Sequence, residues 1–197
     1  MRLSAALFML ALMTGTDLQA QSVQVIYAET RDLTKQVQGV SDPAVLAVLG
    51  SLSKEETLYI LDFSTGKSTY QKKKTMNAAG GTNVTVIDIS GEGYRFYKDQ
   101  KTKKTIEQNS VLNKKFLIEE DLLVLDWKVE GEATEEIAGY KVNKAIATTE
   151  HGKEITAWFT ADLPVNDGPR HYWGLPGLIL KVMAGDKTIQ ARNLTLN

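Results

Sequence analysis

Apolar and polar side chains alternate along most of this chain, which is the period of a half-buried β-strand. The alternation first runs through Val23, Val25 and Tyr27. It returns at Tyr94 and Phe96, at Tyr140 and Val142, at Ile155, Ala157 and Phe159, and at Ile189 and Ala191. Short turn sequences separate these runs. Connections of this length join neighbouring antiparallel strands. The pattern predicts a mainly β fold of about nine to eleven strands, as a curved antiparallel sheet or half-open barrel packed on one short helix.

The predicted helix covers residues 43–50. Ser41 and Asp42 provide a cap, Pro43 suits the first helical turn, and the apolar run that follows ends near Gly50. Because nearly every side chain in this helix is apolar, we expect it to be buried. The following segment, 55–63, is apolar on both faces, which predicts a strand in the centre of the sheet.

The first twenty residues have the pattern of a secretory signal peptide. Arg2 is followed by an apolar run from Leu3 to Met13, and the segment ends on the small residue Ala20. We therefore predict an exported protein, periplasmic or secreted, with residues 21–197 forming a single domain. The apolar run is too short to span a bilayer, and no other segment predicts a transmembrane helix. The chain contains no Cys, which excludes a lipid anchor on a cysteine.

The formal net charge is −1, which argues against nucleic acid as a partner because phosphate binding needs a basic surface. The charge is unevenly distributed, since the stretch 67–115 is rich in Lys and 119–136 is rich in Glu and Asp. Solvated strand faces and protective edge lysines explain this pattern more simply than a site for an anionic partner.

Three of the four prolines and several aromatic residues lie between Trp158 and Leu180. Prolines stiffen a loop by restricting the unfolded chain. Leu175-Pro176-Gly177-Leu178 has the composition of a type II turn. We expect this region to present bulky rings to a ligand or partner. The candidate contact residues are Trp158, Pro169, His171, Tyr172, Trp173, Leu175 and Pro176.

The chain offers little for catalysis. His151 and His171 are the two imidazoles, and their spacing matches no paired metal-ligand motif. A serine-nucleophile elbow and a phosphate-binding loop are both missing from the sequence. We predict no catalytic residues, no metal and no cofactor, and the sequence favours a non-enzymatic role.

The segment from Asp126 to Val182 resembles the GLPGLI family of exported Bacteroidota proteins. The resemblance lies in Asp126-Trp127, Ile137-Ala138-Gly139-Tyr140-Lys141, Ala157-Trp158-Phe159-Thr160, Leu163-Pro164, Gly168-Pro169 and Gly174-Leu175-Pro176-Gly177-Leu178-Ile179-Leu180. It implies an envelope or secreted location but no reaction. Val142 stands where many members carry Cys, so a thiol-dependent role does not extend to this chain.

These observations predict a non-enzymatic binding protein of the cell envelope that uses the 161–177 loop as its contact surface. Its partner would be an envelope protein, a peptide or an apolar ligand. One alternative is a carrier of a lipid or other apolar ligand, which should contain an apolar cavity of about 300 Å³ or more. Another is an unrecognised hydrolase, in which His171 should be hydrogen-bonded to a carboxylate.

Overall fold

The computed structural model describes residues 22–33, 41–53, 55–77, 83–87, 94–111 and 114–197. The predicted signal peptide, 1–20, lies outside the described residues. The elements in chain order are β1 Val23–Arg31, α1 Pro43–Leu52, β2 Thr57–Ser64, β3 Lys67–Asn77, β4 Asn83–Ile87, β5 Arg95–Asp99, β6 Lys104–Val111, β7 Lys114–Asp121, β8 Lys128–Ile137, β9 Tyr140–Thr148, β10 Glu154–Thr160, β11 Leu178–Ala184 and β12 Lys187–Leu196.

The fold is mainly β, as predicted, with twelve described strands rather than nine to eleven. The strands form one antiparallel sheet in the order β7-β6-β5-β3-β2-β1-β12-β11-β10-β9-β8, with β4 paired to β3. The sheet is not closed into a barrel. The predicted central strand is confirmed, because β2 lies between β1 and β3 and buries both Ile60 and Leu61.

The connection between the two edge strands requires the sheet to curl. β7 and β8 lie at opposite ends of the strand order, yet only residues 122–127 join them. A flat sheet of this order would separate its edges by about 48 Å, since neighbouring strands are about 4.8 Å apart. The connection spans at most about 25 Å when fully extended. The edges must therefore approach each other, which gives the strongly curved form that the alternation predicts.

The main core lies on one face of the sheet. Val25, Leu61 and Tyr70 belong to its largest buried cluster, together with Leu178 and Leu180 of β11. Tyr59 and Tyr70 stack with ring centroids 4.9 Å apart. This face is filled by side chains of the strands and of the loop that precedes β11.

The helix forms where predicted, but its expected burial is wrong. The Asp42 side chain accepts a hydrogen bond from the amide of Ala44 at 2.8 Å, and Pro43 begins the helix. None of its residues is buried, and Val45, Leu46, Val48 and Leu52 are exposed. The prediction rested on the apolar composition of the helix alone. The 161–177 loop covers the buried face instead, since its Leu163 and Val165 belong to the main core.

Candidate functional site

The 161–177 loop joins β10 to β11, which are neighbouring antiparallel strands. Leu163 and Val165 insert into the main core, whereas Leu175 belongs to a second cluster with Phe159 and Ile179. The amide of Leu178 donates to the carbonyl of Leu163 at 3.1 Å, and that of Ile179 donates to the carbonyl of Asp167 at 2.9 Å. The loop is therefore bonded along its length to the beginning of β11.

A buried ion pair holds the middle of the loop against the sheet. Lys98 of β5 contacts Asp167, and both side chains are fully buried. The Lys98 ammonium also donates to the carbonyls of Gly168 at 2.7 Å and Tyr172 at 3.2 Å. Burial lowers the pKa of Lys98, and the charge of Asp167 opposes that effect. Because either charge alone would be costly to bury, the pair fixes the loop to β5.

A second charged anchor lies three residues further on, at Arg170. Its guanidinium donates to both carboxylate oxygens of Glu29, at 2.6 and 2.8 Å. Tyr70 also donates to Glu29 at 2.9 Å, and the Tyr94 ring lies 4.4 Å from the guanidinium carbon of Arg170. Burial acts to lower the pKa of Arg170, but hydrogen bonding to Glu29 and its charge raise that pKa overall. The two hydrogen bonds from Arg170 to Glu29 and the aromatic contacts define one orientation for this part of the loop.

Trp173, near the end of the loop, lies against the 122–127 connection between β7 and β8. The indole N–H of Trp173 donates to the carbonyl of Leu123, and the carbonyl of Trp173 accepts from the indole of Trp127 at 2.8 Å. Trp173 is half-buried and Pro176 is exposed. Beside them, Val124 is 75% exposed and Leu123 is 44% exposed. We call Leu123, Val124, Trp173 and Pro176 the apolar tip.

The other predicted contact residues have more interior positions. Pro169 and Leu175 are buried, so their side chains stabilise the loop rather than face solvent. Tyr172 is half-buried and packs against both core clusters. Trp158 lies on β10, where the Lys181 ammonium is 4.4 Å from its ring centroid. A contact role remains a prediction for these residues.

His171 packs edge-on against Phe96, with 4.5 Å between the ring centroids. Burial lowers the pKa of His171, which favours the neutral form of its imidazole. A hydrolase would need a carboxylate hydrogen-bonded to this ring, whereas the contact seen here is aromatic. Among the described residues, no group of three His, Asp or Glu side chains is arranged to hold a metal ion.

The turn before β11 differs from the predicted type II turn. The amide of Gly177 donates to the carbonyl of Leu175 at 2.8 Å, which closes a three-residue turn. A Cβ at Gly177 would lie 2.0 Å from the carbonyl oxygen of Thr160. Glycine is required here because the turn packs directly on the end of β10, and that approach was not readable from the Pro-Gly sequence.

Sequence reasoning missed the residues that anchor the loop. Glu29 and Arg170 are 141 positions apart, and neither belongs to a motif. One signal was present for Lys98, which continues the alternation of Tyr94 and Phe96 and so falls on the buried face. A lysine at an inward position predicts a buried acidic partner, but the sequence does not identify which acid.

A separate groove of about 400 Å³ lies at one end of the central strands. Its lining includes Val23, Gln24, Asp62, Phe63, Thr69 and Tyr97. Gln24 donates to Asp62 at 2.7 Å across the β1 and β2 pair. The groove combines apolar surface with several hydrogen-bonding groups, and it is built by residues other than those of the 161–177 loop.

This geometry defines an open, curved antiparallel sheet whose core is covered by a loop that two ion pairs hold in place. A family model described as a protein of unknown function (Porph_ging) matches residues 147–181, the segment that contains the whole loop. No curated protein matches the chain. Within the described residues, no helix is long and apolar enough to cross a membrane.

Two solved structures of PNGF-II resemble this fold. The match to the structure in space group C2 has a TM-score of 0.56 and 16% identity. It covers 90% of this chain and 28% of the PNGF-II chain. The match to the structure in space group P21 has a TM-score of 0.58 and 17% identity, and it covers 90% of this chain and 29% of the PNGF-II chain. This chain thus spans less than a third of the PNGF-II chain. At such identity the likeness extends to the fold alone.

Proposed function

We propose that this chain is an exported, non-enzymatic binding protein of the cell envelope that contacts a protein or peptide partner through its apolar tip. The observation that carries the proposal is the fully buried pair of Lys98 and Asp167, which fixes the loop while Trp173 and Pro176 remain at the surface. A surface that is ordered before binding loses less conformational entropy on association. Aromatic residues beside exposed apolar side chains are typical of interface anchors.

The location is proposed on separate grounds. Export rests on the signal-peptide pattern of residues 1–20, and the envelope assignment rests on the resemblance to the GLPGLI family. The family-model match covers the loop and the beginning of β11, so it agrees with the resemblance in that segment, and it carries no information on location.

Val124→Asp tests the contact surface. Val124 is exposed, so the substitution should leave the fold intact while placing a charge in the apolar tip. We expect recovery of specific partners from envelope extract to fall by about tenfold, because a buried unpaired charge opposes association. Quantitative mass spectrometry of proteins captured by wild type and variant measures this.

Val129→Asp is the matched control, since Val129 is an exposed valine of β8 that lies outside the apolar tip. Its partner recovery should equal that of wild type. Equal recovery by all three proteins would remove the apolar tip as the contact surface.

A carrier of a small ligand is the second candidate, and the 400 Å³ groove favours it. The groove is above the lower bound of about 300 Å³ for a ligand site, but it has polar as well as apolar lining residues, which favours an amphipathic ligand over a wholly apolar one. The two candidates use different residues, so Val124→Asp should leave ligand binding in the groove unchanged.

A further inference from the structure

The edge strand β7 is unusually accessible along its whole length. It ends the strand order and pairs with β6 on one side, within the described chain. All eight of its residues are exposed, and the central Leu117 is 72% exposed. Phe116 and Ile118, which point to the opposite face from Leu117, are exposed as well. An open edge with three consecutive apolar residues is a template for pairing with another strand.

The charges on β7 are self-complementary. Its sequence begins with two lysines, continues with Phe116, Leu117 and Ile118, and ends with three acids. Two antiparallel copies of such a strand bring the basic end of each beside the acidic end of the other. Opposite charges that face each other across a strand pair are favourable, whereas like charges repel.

Symmetry and charge together select one register for two identical copies. A twofold axis perpendicular to the sheet keeps each side chain on its own face, so facing residues must be an even number of positions apart. An axis at Leu117 meets this condition and places the two Leu117 side chains together. It also makes three kinds of facing pair, each occurring twice: Lys114 with Glu120, Lys115 with Glu119, and Phe116 with Ile118.

We propose that β7 pairs antiparallel with β7 of a second copy of this chain, joining the two sheets in a symmetric dimer. The proposal is independent of the function suggested for the apolar tip. Lys104 lies 3.7 Å from Glu119 and 3.0 Å from Asp121, but these acidic side chains remain 63% and 89% exposed and accessible to a second copy.

The strand at the other end of the order, β8, is unsuited to the same pairing. It contains Lys128 and four glutamates, Glu130, Glu132, Glu135 and Glu136. Its register against β9 shifts between Glu130 and Glu135. Two copies of β8 would therefore meet with like charges and an irregular backbone. Of the two ends of the strand order, β7 is therefore the one suited to pairing.

Sedimentation equilibrium of the full chain over about 10 µM to 1 mM tests the proposal. We expect a reversible monomer–dimer equilibrium, weak because one strand pair buries a small area. Leu117→Lys places two positive charges together at the axis and should raise the dissociation constant by about tenfold or more. Val129→Lys is the control on β8 and should leave the dimer unchanged.

Charge exchange separates this register from nonspecific association. Lys114→Glu with Lys115→Glu, and Glu119→Lys with Glu120→Lys, should each weaken self-association by about tenfold or more. An equimolar mixture of the two variants should recover dimers, because each basic end again faces an acidic end. A monomeric wild type over the whole range, a dimer unaffected by Leu117→Lys, or a mixture that stays monomeric would overturn the proposal.

Discussion

Replacing Lys98 with Met should lower the free energy of unfolding by about 3 to 5 kcal/mol, and the midpoint of thermal unfolding by on the order of 10 °C. The substitution keeps most of the side-chain volume but leaves the Asp167 carboxylate buried without its countercharge. It also removes the donor to the carbonyls of Gly168 and Tyr172. Urea denaturation followed by circular dichroism measures the loss.

Two further variants separate the lost ion pair from a general effect of removing lysine. Lys67→Met removes a partly exposed lysine that contacts Asp99 at 3.5 Å, and it should be nearly neutral because solvent screens such pairs. Adding Asp167→Asn to Lys98→Met removes the uncompensated charge and should recover part of the stability. A Lys98→Met protein as stable as the Lys67→Met protein would show that the buried pair does not hold the loop.

Gly177→Ala should destabilise the fold by a similar amount, about 3 to 5 kcal/mol. The added Cβ would lie 2.0 Å from the Thr160 carbonyl oxygen and 2.7 Å from its carbonyl carbon. Both are backbone atoms at the end of β10, so a side-chain rotation cannot relieve the overlap. The turn or the strand must move, which would disturb the beginning of β11. Thermal unfolding by calorimetry measures the effect.

Gly152→Ala provides the matched control. Gly152 also has a positive φ, of 73°, but a Cβ there would meet no atom within 4 Å. Gly152→Ala should lower the free energy of unfolding by about 1 kcal/mol, from backbone strain alone. Equal destabilisation by the two substitutions would mean that close packing on Thr160 is not the reason for glycine at position 177.

The local features of this fold were predictable because they depend on neighbouring residues. Alternation gave the strands, the two apolar faces of 55–63 gave a central β2, and Asp42-Pro43 gave the beginning of the helix. Each of these signals lies within a few residues and reflects side-chain direction or backbone capping.

The features that build the candidate site depend on distant residues and were not predictable. Lys98 contacts Asp167, and Glu29 contacts Arg170, because the folded sheet is curled and the loop lies across it. The same reason explains the error over helix burial. An apolar sequence indicates a segment that can be buried. It does not decide whether the helix or the 161–177 loop covers the core.

Amide hydrogen–deuterium exchange across 161–177 tests the central claim, that this loop is a fixed part of the sheet. Within the loop, the amides of Val165, Asp167, Gly168, Gly174 and Gly177 all donate within the protein. The account predicts that peptides from the loop exchange as slowly as those of β11, and that Lys98→Met accelerates loop exchange before that of β11. Loop amides of the wild type that exchange at the rate of an unfolded chain, while β11 remains protected, would contradict it.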